Sequence, residues 1–387
     1  MRCIYEGRPT LFHYNTFFMH YKDLSFPAKA PQDFFITVQT RVRQYFDDNK
    51  ISRYGDARMV IKSIVMLLIY FVPYFLMLSG VAESNWMQLL MWVMMGIGMA
   101  GIGLSVMHDA NHGAYSKNRY VNKFFGYVIH ILGGSATNWI LQHNVLHHSF
   151  TNVDGVDEDI NPGNFLRFSP HQKRTKMHQL QHIYAWPLYA LMTLLWITTK
   201  DFKQILRYKK SGLIKQMKKP YSFLFTEILT MKVFYYIYAL IIPLIFFAAP
   251  WYLTVIFFLI MHFIAGLTLA AIFQSAHVMP TSEYPLPDEE GKLENNWAIH
   301  QMLTTANFSP KSRILSWYVG GLNFQIEHHL FPNICHVHYK SISKIVEKTA
   351  KEFGLPYHSQ PNFLVALREH ARMLYRLGHY DQLVMAQ

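Results

Sequence analysis

Residues 64–112 read IVMLLIYFVPYFLMLSGVAESNWMQLLMWVMMGIGMAGIGLSVMHDANH, a stretch without a single Lys or Arg that closes on two histidines. It divides at residues 82–85, leaving apolar runs over 61–81 and 86–107. A helix that crosses a bilayer needs about 20 apolar residues, so each run is long enough. The link between them is too short for a soluble connection, and the stretch reads as a membrane hairpin. Pro73 falls inside the first run, where a kink is tolerated in lipid.

A second stretch, residues 233–282, carries no charged residue. It divides at Pro250 into runs over 233–249 and 251–273, giving a second hairpin. Trp86 and Trp251 each begin a returning helix, at the level where interfacial aromatics sit. Neither outer turn holds any of the chain's 36 Lys and Arg residues. The positive-inside rule then places the N-terminus, the middle region and the C-terminus in the cytoplasm. The expected fold is an all-α membrane protein with four transmembrane helices in two hairpins and a cytoplasmic helical cap. It forms one domain over residues 1–387: a cytoplasmic N-terminal region (1–60), hairpin one (61–107), a cytoplasmic and interfacial region (108–232), hairpin two (233–274) and a cytoplasmic C-terminal region (275–387).

Composition agrees. The chain is 51% hydrophobic and 16% charged, where ordinary soluble domains carry about 25% charge. A net charge of +12 would suit a nucleic acid, but in a membrane chain it marks the cytoplasmic side and its anionic lipid surface, so no nucleic-acid partner is expected. Two cysteines, Cys3 and Cys335, support neither a disulfide framework nor a thiolate cluster. The first 60 residues lack the apolar core of a signal peptide. Within them, residues 33–46 read as an amphipathic helix with Phe34, Phe35, Val38, Val42 and Phe46 on one side. Residues 124–131 and 185–198 are apolar but short or interrupted, and read as interfacial or re-entrant helices. The basic run 200–219 suits a helix lying on anionic headgroups. Residues 154–159 are acidic without the spacing of a calcium loop, and read as a polar loop. Residues 342–353 and 363–377 read as helices of the cap.

Three histidine clusters flank these hairpins: His108-Asp109-Ala110-Asn111-His112, His143-Asn144-Val145-Leu146-His147-His148, and Gln325-Ile326-Glu327-His328-His329. On a helix, positions i and i+4 share a face, so His108 with His112, and His143 with His147, can each converge on one ion. Seven imidazoles exceed one tetrahedral site, and the pattern reads as two metals. A chain that crosses four times returns all three clusters to one membrane face, together with His277 just past the end of the fourth helix. His130, His262, His336 and His338 read as satisfied core or interface residues, and His171, His178 and His182 as surface residues or outer donors. Ligands rich in nitrogen and poor in sulfur exclude iron–sulfur clusters and closed cysteine zinc sites. The first cluster also lacks the glutamate base of a zinc protease. A non-haem di-iron centre with open positions suits dioxygen activation, and its place at the lipid boundary points to an acyl chain. Glycines and methionines of the second helix, Met94 to Gly103, read as close helix packing or as the lining of an acyl groove. A lipid hydroxylase or ketolase would use nearly identical clusters; a non-catalytic membrane zinc- or haem-binding protein is the alternative of another class.

These residues resemble the integral membrane fatty acid desaturases, whose three histidine boxes stand here at His108–His112, His143–His148 and Gln325–His329. The likeness extends to Phe150-Thr151-Asn152 and to residues 317–332, and covers about residues 60–360. It implies an oxygen-dependent enzyme that introduces a double bond into an acyl chain carried on coenzyme A or a lipid. It also implies two iron ions, for which zinc can substitute, held by His108, His112, His143, His147, His148, His277, His328 and His329, with Gln325 near the metals. Glutamine at the start of the third box resembles the front-end subgroup, which acts between an existing double bond and the carboxyl end. Many such enzymes carry a fused haem domain with His-Pro-Gly-Gly. That motif is absent here, so the expected electron source is a separate ferredoxin or small haem protein.

Overall fold

The computed structural model describes residues 23–27 and 33–381; Cys3 and most of the start of the N-terminal region lie outside them. Four helices are long and apolar enough to cross a membrane: Ala57–Leu78, Asn85–Asn111, Tyr221–Phe246 and Trp251–His277. The second and fourth bury 67% and 56% of their most apolar windows, against 39% and 33% for the first and third, so they form the inner pair. Asp56 caps the first span by accepting from the Arg58 N–H, and Ser84 caps the second by accepting from the Met87 N–H. These short polar side chains satisfy donors that the helix itself leaves free.

Glycine decides how closely the inner helices approach. A methyl group at Gly96 would lie 2.7 Å from the Met261 carbonyl of the fourth span, and one at Gly98 would lie 2.8 Å from the Tyr70 nitrogen of the first. Both positions are therefore packing glycines. Tyrosines join the outer pair: Tyr70 and Tyr238 hydroxyls lie 2.9 Å apart, and Tyr74 donates to the Tyr238 carbonyl at 2.8 Å.

Two boundaries differ from the sequence reading. The third span begins at Tyr221 rather than residue 233, because the charges that seemed to end it are internally matched. Lys232 is buried and reaches Asp201 at 2.7 Å, with the Gly133 and Trp196 carbonyls at 2.9 and 2.8 Å. Glu227 accepts from the Tyr127 and Thr137 hydroxyls. A buried ion is tolerated only when its hydrogen bonds are completed in this way. The fourth span runs through His277 rather than stopping before it, so that histidine occupies the last helical turn.

Residues 185–198 lie in a series of short helices, Gln181–Ala190, Met192–Leu195 and the π-helical Trp196–Lys200. They press on the fourth span at Gly266, where a methyl group would sit 2.5 Å from the Ala190 carbonyl. Gly266 is about 16 Å from His277 along the helix axis, at 1.5 Å per residue. The segment thus packs against the side of the fourth span, about three helical turns from His277. Helix Arg119–Tyr127 leaves Tyr120 and Phe124 exposed, the pattern of an interfacial helix.

The amphipathic N-terminal helix runs Phe34–Asp48, capped by Asp33, and buries Phe34, Val38, Val42 and Phe46. It packs on the C-terminal helix Tyr339–Glu352 through Ile342 and Val346. The last helix, Phe363–His379, packs on Gln181–Ala190 and the fourth span. Among the described residues the sole sheet is a two-residue parallel pair, Asn307–Phe308 with Ser359–Gln360.

Gly98→Val should cost about 3 kcal/mol of stability, because the new side chain meets backbone rather than a movable side chain. Thermal unfolding in detergent checks this; an unshifted transition would mean that spans one and two do not touch there.

Candidate metal centre

The second histidine cluster is not α-helical. Ile140–His147 is a π-helix, closed by a bond from the His148 N–H to the His143 carbonyl at 3.0 Å. Hydrogen bonding from i to i+5 widens the turn. Positions four and five apart then both return to one side, and His143, His147 and His148 all face the same space. The second span contains a π stretch of its own, Ile102–Val106, ending two residues before His108.

His143 and His147 were expected on one ion; they share a set with Asp159, and each also joins a different all-histidine set. His108, His112, His143 and His328 bring ligand atoms within 4.8 Å of one another, and His147, His277 and His329 form a second such set. His148 stands between them: its Nε2 is 3.2 Å from that of His143 and 2.9 Å from that of His328, while its ring stacks on His329 with centroids 4.4 Å apart. All eight histidines named from the sequence are brought together. Gln325 is buried at the head of the short helix Gln325–Leu330, with its amide nitrogen unpaired.

The outward nitrogens are held by acceptors. His147 Nδ1 lies 3.0 Å from Asp157 Oδ2, His277 Nδ1 lies 3.3 Å from the Thr304 carbonyl, and His329 Nδ1 lies 2.8 Å from Gln301 Oε1. His328 Nδ1 is 3.2 Å from the Tyr339 hydroxyl. Carboxylate, carbonyl and amide oxygens only accept, so Nδ1 carries a proton and Nε2 is the nitrogen turned inward. The Nε2 atoms of His112, His147, His277 and His329 are buried without a partner. Leaving such an atom unmade costs about 1–3 kcal/mol each, and cations placed among them would satisfy several at once. The donor set, all imidazole with carboxylates behind it, suits a first-row transition metal.

Electrostatics agree. Burial, then the neighbouring rings, holds His143, His148, His328 and His329 well below the ordinary imidazole pKa, so their lone pairs are free. Burial also opposes a charge on His147, but the Asp157 and Asp159 carboxylates outweigh it and push the pKa up to about 9. A metal at His147 would displace that proton from Nε2.

Residues 154–159 are therefore more than a polar loop. Asp157 is fully buried, accepts from the Asn152 and Asp159 N–H groups at 2.9 Å each, and holds His147. Asp159 accepts from Gln142 and lies 3.5 Å from His147. Asn152, in a left-handed conformation that asparagine tolerates, donates to the His277 and Glu283 carbonyls and ties this loop to the fourth span. A carboxylate ten residues after a ligand histidine was the available signal, since ligating histidines commonly lean on one. Gln301, Thr304 and Tyr339 had none: they lie 28, 27 and 11 residues from the histidines they hold, and none is a carboxylate.

The other histidines are placed apart. His262 bonds Tyr235 and Thr193, His171 bonds the Tyr284 carbonyl, His178 bonds the Asn164 carbonyl and His338 faces the Tyr54 carbonyl. His182 packs against Tyr375. His130 is buried against Tyr127 with neither ring nitrogen bonded, so it is a core residue but not a satisfied one. His336 is satisfied: Nδ1 is 2.7 Å from Asp109 and Nε2 is 2.5 Å from Lys62. With Cys335 and Asp109 it forms a further buried cluster beside His108.

A narrow cavity of about 90 Å³ opens on this centre. It reaches His143 and is walled by Met99, Gly103, Met107, Trp139 and Leu269. The Gly/Met-rich face of the second span thus serves both readings: Gly96 and Gly98 pack, whereas Met99 and Gly103 line a slot.

Residues 84–361 match the family model for fatty acid desaturases. The chain is 38% identical over 359 residues to an acyl-lipid (8-3)-desaturase of Physcomitrium patens, covering 92% of this chain and 74% of that protein. It is 33% identical to an sn-1 linoleoyl-lipid 6-desaturase of Arthrospira platensis, covering 85% and 88%. A third relative, an acyl-lipid (8-3)-desaturase of Mortierella alpina, is 30% identical over 90% and 78%. With its four apolar helices and its clustered imidazoles, the chain belongs to the fatty acid desaturase family and is an oxidoreductase of that class.

Proposed function

We propose that this enzyme holds two iron ions and introduces a double bond on the carboxyl side of an existing one, in an acyl chain carried by a membrane lipid or coenzyme A. The observation that carries the reading is the division of imidazoles into two adjacent sets with their Nε2 atoms turned inward. One iron falls to His108, His112, His143 and His328, the other to His147, His277 and His329, with His148 between them and Gln325 near both. Zinc is the substitute these donors would also accept. When bound, the irons supply the oxidising power of dioxygen: with two electrons and two protons, two hydrogens leave adjacent carbons and two waters form.

The chain's own residues do the rest. Asp157, Gln301 and Thr304 hold the rings in one tautomer and orientation. Met99, Gly103 and Leu269 shape a slot that excludes water. No side chain is assigned as an acid or base. The carboxyl-side position is supported by the relative that acts on linoleoyl-lipid at carbon 6, nearer the carboxyl end than the bonds linoleate already has, and by Gln325. The residues act as one domain across 1–387, with both termini and the centre on the cytoplasmic side of a multi-pass membrane protein. Electrons arrive from a separate ferredoxin or small haem protein.

Expression in a host with a defined lipid pool, followed by location of new double bonds in its fatty acids, tests the reaction; gain of oxygen instead of loss of hydrogen would make the enzyme a hydroxylase. His143→Ala should abolish turnover and lower bound iron while the protein still inserts in the membrane, and full turnover in that variant would contradict the assignment. Asp157→Asn should weaken metal affinity about 10–100-fold, measured by cobalt titration of metal-free protein. Gly103→Leu should leave folding intact and shift preference toward shorter chains, because a methyl there meets only the Leu269 side chain at 3.3 Å; product profiles from mixed acyl pools decide it.

A further inference from the structure

The basic run over residues 200–219 has a use beyond lying on the membrane surface. Three of its cations are engaged elsewhere: Arg207 pairs with Glu158 at 2.6 Å, Lys219 with Glu227 at 3.5 Å, and Lys209 lies over the Tyr221 ring at 4.1 Å. Among the described residues of that run, Lys200 alone lines the cavity that reaches His143. It is half-buried, its ammonium lies 5.9 Å from the Trp196 ring, and among the described residues it has no carboxylate partner.

The neighbouring acids are already taken. Asp201 is bound by Lys232, Asn138 and Trp196. Glu158 is bound by Arg207 and Tyr208. Asp159, the carboxylate that shares the cavity wall, is held by Gln142 beside His143 and His147. The π-helical turn Trp196–Lys200 ends on this lysine, and such wide turns are frequent at functional sites. Asp201 ties that turn to Asn138, one turn before Gln142, so Lys200 stands near the level of the histidines rather than at the deep end of the slot. An unpaired cation at the rim of an apolar cavity is matched by a ligand with an anion at one end and a hydrocarbon chain at the other.

We propose that Lys200 is a specificity-determining residue that binds a phosphate near the carboxyl end of the acyl substrate. This rests on the desaturase reading above and names the substrate's head. Holding the head at the rim makes the enzyme count carbons from the carboxyl end. In a phospholipid the phosphate is a glycerol away from the ester; in acyl-coenzyme A it is a pantetheine arm away. The chemistry is shared, and the sources can be separated.

The test uses the full-length enzyme in nanodiscs with one acyl chain presented as phosphatidylcholine, as acyl-coenzyme A or as monogalactosyldiacylglycerol, which has no phosphate. Lys200→Gln should raise KM about tenfold or more for a phosphate-bearing substrate, with kcat retained and the galactolipid unaffected; Lys200→Arg should restore the lower KM. A rise confined to phosphatidylcholine assigns a lipid headgroup, and one confined to the coenzyme A ester assigns that carrier. Unchanged KM for all three, or equal loss on all three, overturns the proposal. Should the variant fail to fold, the wild type decides: equal KM for phosphate-bearing and phosphate-free forms of one acyl chain overturns it, and a lower KM for the former supports it. A wild type inactive on every acyl substrate would instead overturn the desaturase reading, and this one with it.

Discussion

Eight buried imidazoles packed in stacked and T-shaped pairs turn nitrogen toward nitrogen in one enclosed space. Such an arrangement is stable only if each outward nitrogen finds an acceptor and the inward nitrogens share cations. The acceptors come from every part of the chain: Asp157 from the loop after the second cluster, Thr304 and Gln301 from the helix Trp297–Thr304, and Tyr339 from the C-terminal helix. The centre therefore depends on the whole fold, since each partner belongs to an element packed on a different side of it.

The membrane spans supply the rigid half of that frame. Close glycine contacts fix spans one, two and four against one another, and the histidine-bearing ends of spans two and four are set at the same end of the bundle. Polar groups that would be expensive in lipid are paired across elements. Lys232 and Asp201 join span three to the helix that begins after Lys200, and Asp201 also holds Asn138 shortly before the second cluster. Lys62 meets His336, which meets Asp109, linking span one to the segment after the third cluster and to His108. Removing one member of such a set leaves a buried charge uncompensated, so these pairs specify relative position more than they add stability.

How much of this was legible follows from the range of each interaction. Hairpins were readable because an apolar run of 20 residues has one use, and the site histidines because imidazoles cluster rarely. Span three was read short because Glu227 and Lys232 look like boundaries until their partners are known. That His143 and His147 also join different all-histidine sets was not readable, since it depends on a π-helical hydrogen bond that spacing alone does not announce. Asp157 carried a faint local signal. Gln301 and Tyr339 carried none: they lie 28 and 11 positions from the histidines they hold, and neither is a carboxylate.

The π-helical turns explain why one centre can serve chemistry at a lipid boundary. An α-helix offers its partner space two ligands per turn on one face; the Ile140–His147 turn offers three, including two adjacent residues. That extra ligand is His148, the ring that touches both sets. A second wide turn ends on Lys200 at the rim of the slot, and a third precedes His108 on the slot's opposite wall. Each sacrifices the tighter α-helical hydrogen-bond pattern where a side chain must be aimed rather than buried. On the proposed function, aim at the metals and at the substrate head is thus built into backbone geometry, and flexible side chains such as Met99 and Met107 are left to fit the hydrocarbon between them.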